Sequence, residues 1–376
     1  MTEHALPAPM RPLKKWLFGA LAAALGTLIA LLLAEGVLQI LYGPVAHEIT
    51  NAHPILHHFS GNNPSTNSFG FYDREYPAAK PHGTRRIMIL GDSLVRRTYH
   101  ELNFTQILEQ TFQATPGYEG VEVWNCGIDS YSPALCYLLL KHKLLDLDPD
   151  TVVVCVFLGN DFNDDAVYQS QMVLDARGRP ERCPPDAPSR EARLIPGQVP
   201  IPFKNFLRYH SRLYRELSRG YNTLLHWLRF REGEWEKAAI GEDQTAPIGT
   251  LTVNISDSVF HILAQNLVFT DELLRERGIP WLAVLIPLHV EVNRLVEGGK
   301  RLDQYSEDGI RLADQNLEKL AAFLEEKRIP VLNLLPPFQA SPSQPLFTID
   351  SHFNEPGHRL AAELLYEKLM SDKLLD

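Results

Sequence analysis

The sequence predicts an α/β protein in which helices cover both faces of a parallel sheet. Short apolar segments alternate along the chain with longer segments whose apolar residues recur at helical spacing. Strands that are apolar throughout are typical of parallel sheets, because both of their faces are buried. The chain has 376 residues, of which 45% are hydrophobic and 22% are charged, so it can form one large domain of this class.

The N-terminal part of the chain has the composition of a membrane anchor. Residues 16–42 are apolar except for one acid, Glu35, and about twenty apolar residues are enough to cross a bilayer. By the positive-inside rule, the N-terminus is expected in the cytoplasm, because three basic residues precede the apolar segment: Arg11, Lys14 and Lys15. The predicted order is residues 1–15 in the cytoplasm, 16–42 as the transmembrane anchor, 43–84 as linker and lead-in, and 85–376 as a periplasmic or otherwise extracytoplasmic domain.

A cleavable signal peptide is the alternative interpretation of this segment. The apolar core of a signal peptide usually has about 7–15 residues and ends at a site with small residues. Here the apolar run extends from residue 17 to residue 33, and the tripeptide Ala34, Glu35, Gly36 is a poor cleavage site. An uncleaved anchor is therefore favoured.

The elements of the main domain follow from the alternation of patterns. Strands are predicted at residues 86–90, 121–125, 151–158, 281–286 and 331–334. Helices are predicted at residues 104–114, 134–145, 259–277 and 310–327.

A long segment, residues 164–247, does not fit this alternation and is interpreted as an insertion. Its part from 177 to 202 is rich in Pro and Arg and is expected to be a loop. Its part from 203 to 230 has apolar residues at helical spacing, with arginines on the other side. An ordinary amphipathic helix with a solvated basic face is the plainer interpretation. A lid beside the site, or a surface that lies against anionic lipid, is the functional one.

Charge and cysteine content exclude some classes of function. The formal net charge of −10 argues against nucleic acid as a partner. The cysteines show neither Cys-x-x-Cys nor Cys/His metal-binding spacing, so no metal and no cofactor is expected. Two of them lie in or next to predicted strands, where a buried free thiol is the commoner state. The four cysteines are Cys126, Cys136, Cys155 and Cys183.

One predicted strand runs directly into a serine. Residues 86–90 are followed by Gly91, Asp92 and Ser93, and open α/β sheets carry their chemistry at the carboxyl ends of the strands. Asp92 is expected to cap the turn. The nucleophile elbow Gly-x-Ser-x-Gly is excluded, because Val95 stands where its second glycine is needed.

A base and candidate oxyanion donors occur later in the chain. Asp350 and His352 lie two residues apart, just before a helix-like segment that runs to the C-terminus. Gly127 and Asn160 each follow an apolar strand-like run, so each can place a donor at the same sheet edge. Alone, Gly127 is also typical of a turn at a strand end, and Asn160 of a helix N-cap. It is their combination with Ser93, in this order, that indicates a catalytic site.

In this order the four blocks resemble those of the SGNH or GDSL-type hydrolase superfamily, over roughly residues 67–375. The resemblance implies a flavodoxin-like five-stranded sheet and a Ser-His-Asp mechanism. It makes Ser93 the nucleophile, His352 the base and Asp350 the group that orients His352. The oxyanion hole would be formed by Ser93, Gly127 and Asn160. The family usually has its Asp three residues before the His, whereas this chain has Ile349 there and the carboxylate at Asp350.

These expectations together describe a membrane-anchored serine esterase that acts on an acyl ester. Members of the family that the chain resembles act on acetylated carbohydrates, so acetyl groups on an envelope polysaccharide are the first expected substrate. Transfer to a glycan acceptor, lipid ester hydrolysis, and a non-catalytic glycan-binding module on the same fold are the alternatives.

Overall fold

The computed structural model describes residues 12–42, 51–59, 66–96, 102–184, 254–292, 307–343, 345–348 and 351–375, with a few residues near 211–217 and 296–301. The chain divides into two units. One contains Met1–Glu48 and Leu194–Glu232, and the other contains Ile49–Arg193 and Gly233–Asp376.

Among its described residues, the first unit has one long apolar helix, α1 (Pro12–Tyr42). Its segment Phe18–Ile40 is long and apolar enough to cross a membrane. The side chains of Trp16 and Ile40, near its two ends, are 80% and 84% exposed, as suits a helix whose surroundings are not protein. The sequence prediction of one apolar helix at residues 16–42 is confirmed.

The one acid in this helix is held by the insertion. Glu35 Oε2 accepts hydrogen bonds from Ser211 Oγ at 2.7 Å and from the backbone N–H of Leu213 at 2.9 Å. Ser211 Oγ also accepts a hydrogen bond from the N–H of Tyr214, which is the arrangement of a helix N-cap. Leu213, Tyr214 and Leu217 are helical, and the remaining residues of the predicted helix 203–230 lie outside the described residues.

The second unit alternates strands and helices. In chain order its elements are β1 (Asn51–His53), β2 (His57–Phe59), β3 (Arg85–Gly91), α2 (Ser93–Arg96), α3 (Phe104–Gln113), β4 (Val121–Gly127), α4 (Pro133–Leu139), β5 (Thr151–Phe157), α5 (Asp161–Gln169), β6 (Val173–Leu174), β7 (Pro180–Arg182), α6 (Asp257–Arg275), β8 (Trp281–Ile286), α7 (His289–Val292), β9 (Val296–Glu297), β10 (Lys300–Arg301), α8 (Glu307–Glu326), β11 (Val331–Asn333), α9 (Leu335–Ala340) and α10 (Glu355–Ser371).

Five of these strands form one parallel sheet in the order β11-β8-β5-β3-β4. Numbered along the chain, this is the flavodoxin-like order 2-1-3-4-5, and its topological switch point lies between β3 and β5. All five predicted strands of the main domain are confirmed, and so are the predicted helices at 104–114, 259–277 and 310–327, with ends that differ by a few residues. The predicted helix at 134–145 is an α-helix only over α4, after which the chain continues as a π-helix (Leu140–Leu144) and a short 3-10 helix (Leu145–Leu147). The predicted α/β class with a five-stranded sheet is therefore confirmed.

Helices cover both faces of the sheet. One group consists of α3 and α10, and the other of α4, α5, α6 and α8. Every residue of β4, β5 and β8 is buried, which explains why these strands are apolar almost throughout. The four cysteines are buried free thiols, as expected for Cys126 and Cys155.

The beginning of the predicted insertion belongs to the unit that contains the sheet. The prediction of a loop at 177–202 is wrong for Pro180–Arg182, which pairs with Val173–Leu174 in a small hairpin. Directly after the hairpin, Cys183 exchanges backbone hydrogen bonds with the lead-in: its N–H donates to Ile55 O at 2.7 Å, and its carbonyl accepts from His57 N at 2.6 Å. These few bonds are set by long-range pairing, so no local pattern indicates them. Residues 185–202 lie outside the described residues.

Candidate active site

The structure brings Ser93 and His352 into contact from opposite ends of the chain. Ser93 is the first residue of α2, directly beyond the carboxyl end of β3. Its Oγ lies 2.8 Å from Nε2 of His352, 259 residues later. This is the spacing at which an imidazole can accept the proton of a hydroxyl nucleophile.

The tight turn before Ser93 depends on Gly91. A Cβ atom at Gly91 would lie 2.6 Å from Cγ2 of Val95 and 3.1 Å from Cβ of Cys155 on the neighbouring strand, so a side chain there would displace α2. Asp92 closes the turn, because its Oδ1 accepts a 2.9 Å hydrogen bond from the N–H of Leu94. The expectation that Asp92 caps the turn is confirmed.

Burial raises the pKa of Asp92 to about 7, and the nearby carboxylates of Asp129 and Asp164 add to the shift. Near neutral pH this carboxyl is therefore only partly ionised. Since Asp92 precedes the nucleophile, an uncharged form reduces the negative potential against which the serine would lose its proton.

His352 lies on a turn that is closed by its own hydrogen bonds. The backbone N–H and the hydroxyl of Thr348 donate to the carbonyl of His352 at 2.8 and 2.9 Å. Ser351, just before the base, has a φ of +67°. Asn354 then caps α10 by accepting a 3.0 Å hydrogen bond from the N–H of Gly357. Asp350 lies outside the described residues, so its role in orienting His352 remains a prediction.

Asn160 precedes α5 at the carboxyl end of β5. Strand β5 lies next to β3, which leads into Ser93. Its side chain is buried, and its Nδ2 donates a 2.7 Å hydrogen bond to Oδ2 of Asp164. An amide nitrogen carries two hydrogens, so one remains for a ligand while the other fixes the orientation of the amide. Sequence reasoning did not identify Asp164, although its position one helical turn after Asn160 is the spacing at which side chains meet.

Gly127 ends β4 at the same sheet edge and is packed closely against α2. A Cβ atom at Gly127 would lie 2.5 Å from the backbone nitrogen of Arg96, so only glycine fits. The N–H of Gly127 donates to Oδ1 of Asn125 at 3.1 Å, and Asn125 Nδ2 donates to the carbonyl of Val95 at 2.9 Å. The predicted oxyanion donor is thus at the sheet edge but is engaged with Asn125, so an oxyanion would have to share or replace this bond.

An ion pair between a buried arginine and a partly exposed aspartate also joins the elements around the nucleophile. Arg96, the last residue of α2, donates from Nε and Nη2 to the two carboxylate oxygens of Asp129, each at 2.6 Å. The guanidinium also lies 4.4 Å from the ring centroid of Tyr72. Because Asp129 follows Gly127 by two residues, the pair ties the helix of Ser93 to the segment that carries Gly127. Sequence reasoning missed this pair, since nothing local indicates which carboxylate an arginine contacts.

Helix α5, which follows Asn160, carries further buried carboxyl groups. Asp161 Oδ2 accepts from the N–H of Phe157 at 2.9 Å, and Asp165 accepts from Ala134 N and Asn266 Nδ2, also at 2.9 Å. Burial raises the pKa of Asp161 well above its usual value and that of Asp165 to about 6. Within the described part of the chain, no three His, Cys, Asp or Glu side chains are grouped as metal ligands.

Comparisons with known proteins give likenesses of structure only. No family model matches the sequence, and no curated protein matches it. Among solved structures, an acetyl xylan esterase is 12% identical with a TM-score of 0.42, over 75% of this chain and 98% of that chain. Axe2, an acetylxylan esterase from Geobacillus stearothermophilus, is 12% identical with a TM-score of 0.41, over 77% and 96%. A lipase/acylhydrolase from Enterococcus faecalis is 14% identical with a TM-score of 0.38, over 77% and 97%.

The flavodoxin-like fold that the resemblance implies is confirmed by the structure itself. The sheet has the order that the resemblance implies, and Ser93, Gly127 and Asn160 all lie at the carboxyl ends of neighbouring strands. The base His352 reaches this edge from the segment that precedes the C-terminal helix α10.

Proposed function

We propose that the chain is a serine hydrolase of the SGNH type that acts on ester bonds. The observation that carries the proposal is the 2.8 Å contact between Ser93 Oγ and His352 Nε2 beside the switch point of the sheet. Ser93 attacks the ester carbonyl, while His352 takes the serine proton and then gives it to the leaving alcohol. Asp350 holds the imidazole in the required tautomer and stabilises its charged form.

The developing oxyanion is stabilised by donors at the strand ends. The first donor is the backbone N–H of Ser93, because none of the described residues accepts a hydrogen bond from it. Asn160 Nδ2 supplies a second donor through the hydrogen that Asp164 does not take. Gly127 N–H supplies a third when the oxyanion replaces Asn125 Oδ1. One such donor lowers a barrier by about 3–4 kcal/mol.

The proposed substrate is an acyl ester, with acetyl groups on an envelope carbohydrate as the first class. This choice follows from the family resemblance. The helix α1 anchors the enzyme, its N-terminus stays in the cytoplasm, and the catalytic unit acts outside the cytoplasmic membrane. Hydrolysis and acyl transfer to a glycan hydroxyl share the acyl-enzyme and differ only in whether water or the acceptor attacks it. The Ser93–His352 contact favours an enzyme over a glycan-binding module, since binding alone requires no activated serine.

Labelling of the purified full-length chain in detergent tests the proposal. A fluorophosphonate should modify Ser93, as found by peptide mass, and Ser93→Ala should remove both the label and the hydrolysis of an activated acetyl ester. The matched control is Ser371→Ala at the exposed end of α10, which should behave as wild type. Activity that survives Ser93→Ala with an unchanged circular dichroism spectrum would overturn the assignment.

A panel of short and long acyl esters, with and without an oligosaccharide acceptor, then separates the alternatives. An acetyl esterase should prefer the shortest acyl group, and a lipid esterase the long ones. A transferase should release acetyl faster when the acceptor is present and should yield an acetylated acceptor.

A further inference from the structure

We propose that His289 is a positioning residue for the base His352 and acts through Ser351. The inference rests on the proposed function. His289 begins α7, just beyond the carboxyl end of β8, so it stands at the same sheet edge as the candidate site. Its Nδ1 lies 2.7 Å from the hydroxyl of Ser351, the residue between Asp350 and His352. A second histidine is thus bonded to the segment that carries the base.

The conformation of Ser351 needs such support. Its φ of +67° lies in the left-handed region, which residues other than glycine rarely adopt. Ser351 is also buried, so water does not compete for its polar groups. Among the described residues, two hydrogen bonds hold it: its backbone N–H donates to the carbonyl of Thr348 at 3.2 Å, and its hydroxyl is hydrogen-bonded to His289. Removing the hydroxyl contact leaves only the first of these two hydrogen bonds to the strained residue.

The backbone of Ser351 bears directly on the base, because Ser351 is the residue immediately before His352. Its φ and ψ set the direction in which the side chain of His352 leaves the turn. His352 must be held within a few tenths of an ångström to keep its 2.8 Å contact with Ser93, since small misplacements of a base reduce turnover strongly. The left-handed conformation of Ser351 therefore helps to keep His352 in this position.

His289 itself stands on a fixed support. Leu288, just before it, donates its N–H to the buried carboxyl of Glu291. The carbonyl of Glu291 accepts a 3.1 Å hydrogen bond from Nε2 of Gln339 on α9. Helix α7 is thus tied to the residue before it and to α9, so the hydrogen bond between His289 and Ser351 transmits this rigidity to Ser351.

Four variants of the full-length enzyme in detergent test the inference: His289→Ala, His289→Asn, Ser351→Ala and Ser351→Gly. His289→Ala should lower kcat on a small acetyl ester by ten- to a hundredfold, with KM changed less than twofold. His289→Asn should recover most of this loss, because an asparagine amide reaches the place of Nδ1. Ser351→Gly lacks the hydroxyl but accepts the positive φ without strain, so its kcat should fall below that of wild type but less than that of Ser351→Ala. The matched control is His82→Ala in an exposed turn, which should leave kcat unchanged.

A double variant distinguishes one shared bond from two separate effects. His289→Ala combined with Ser351→Ala should be no slower than the slower single variant, because both remove the same contact. Multiplied losses, an unchanged kcat in His289→Ala, or a rise in KM alone would overturn the inference, and the last would make His289 a substrate contact. The inference would also be overturned if the loss of kcat in the four variants were proportional to the decrease in their Tm, because loss of stability would then explain the loss of activity.

The failure of this inference can be told from failure of the proposed function. If wild type hydrolyses the ester, Ser93→Ala does not, and His289→Ala matches wild type, the function stands and the positioning role is wrong. If wild type shows no Ser93-dependent activity, the function fails. The imidazole nitrogen signals of His352 in the histidine-labelled protein then decide the positioning role: His289→Ala should shift them and His82→Ala should not, and unshifted signals would refute it.

Discussion

Asp164 Oδ2 accepts a 2.7 Å hydrogen bond from Nδ2 of Asn160, one helical turn before it. Both side chains are buried, and Asp164 is fully inaccessible to solvent. The bond decides which way the Asn160 amide faces, because an amide that has committed one hydrogen to a fixed carboxylate cannot rotate freely. Asp164 therefore determines whether Asn160 presents a donor or an acceptor to a developing oxyanion.

The first prediction concerns this bond. Asp164→Ala should lower kcat on an acetyl ester by about ten- to a hundredfold, because the amide loses the partner that aims it. Asp164→Asn keeps an acceptor oxygen in place and should lose less. Steady-state kinetics of both variants gives the answer. The control is Asp372→Ala, which removes a partly exposed ion pair between Lys368 and the residue just after α10. Equal losses in the Ala and Asn variants would show that the charge, not the orientation, matters.

The second prediction concerns Arg96 and Asp129. Asp129→Asn leaves the buried guanidinium without its carboxylate and frees the segment after Gly127, so kcat should fall at least tenfold and the unfolding free energy by about 3 kcal/mol. The measurements are steady-state kinetics and denaturant unfolding. The matched control is Glu355→Gln, which breaks an exposed pair with Arg359 and should change stability by less than about 1 kcal/mol. A stable Asp129→Asn variant with normal kcat would show that the pair does not position the site.

The sheet and its helices could be predicted because their signals are local. Apolar strands buried on both faces and helices with one apolar face leave patterns within a few turns of chain, and each predicted strand of the sheet is found. Ser93 could be identified in the same way, from its place directly after the apolar β3. The hairpin of Val173–Leu174 and Pro180–Arg182 could not, because its strands have only two and three residues, too few to show an alternating or continuous apolar pattern.

The polar contacts around the site lay beyond such reasoning for a different reason. Arg96 meets Asp129, and His289 meets Ser351, only because the fold brings distant segments together at one sheet edge. Sequence spacing carries no record of which polar groups become partners there. The bond between Asn125 and Gly127 is different, because it joins residues only two apart. An asparagine side chain commonly accepts a hydrogen bond from the backbone at this spacing, so the local sequence could have indicated it.

The third prediction concerns the shortened spacing between acid and base. If Asp350 orients His352, Asp350→Asn should lower kcat by several powers of ten with little change in KM, because the imidazole is then held in the wrong tautomer. The test is steady-state kinetics on an activated acetyl ester, with fluorophosphonate labelling of Ser93 as a second readout. A loss smaller than tenfold would mean that another group orients His352.

The fourth prediction concerns stability against pH. Burial raises the pKa of Glu291 to about 9, so the folded protein keeps this proton while the unfolded chain loses it near pH 4.5. Its contribution to stability is therefore complete below about pH 4.5 and is lost as the pH rises towards 9, by at most about 1.4 kcal/mol per pH unit. Glu291→Gln has no such proton to lose, so its stability relative to wild type should rise steadily between pH 5 and 9.

Denaturant unfolding at four pH values measures this difference. Other buried acids with raised pKa values, such as Asp92, also make the unfolding free energy fall as the pH rises. They do so equally in both proteins, so their contributions cancel in the comparison. Parallel curves of unfolding free energy against pH for wild type and Glu291→Gln would mean that Glu291 has its ordinary pKa in the folded state.

The last prediction concerns the anchor. If α1 spans the membrane, the full-length protein should remain with the membrane fraction through high-salt and carbonate washes, which remove proteins held by charge but not a spanning helix. A truncated chain that begins at residue 47 should be soluble, and it should hydrolyse a small activated ester because Ser93, Gly127, Asn160 and His352 all follow that point. A mature N-terminus found by sequencing between residues 35 and 45 would instead show a cleaved signal peptide. The enzyme would then be released outside the cytoplasmic membrane, and Glu35 would not remain available to hold Ser211 and Leu213 if cleavage lay beyond it.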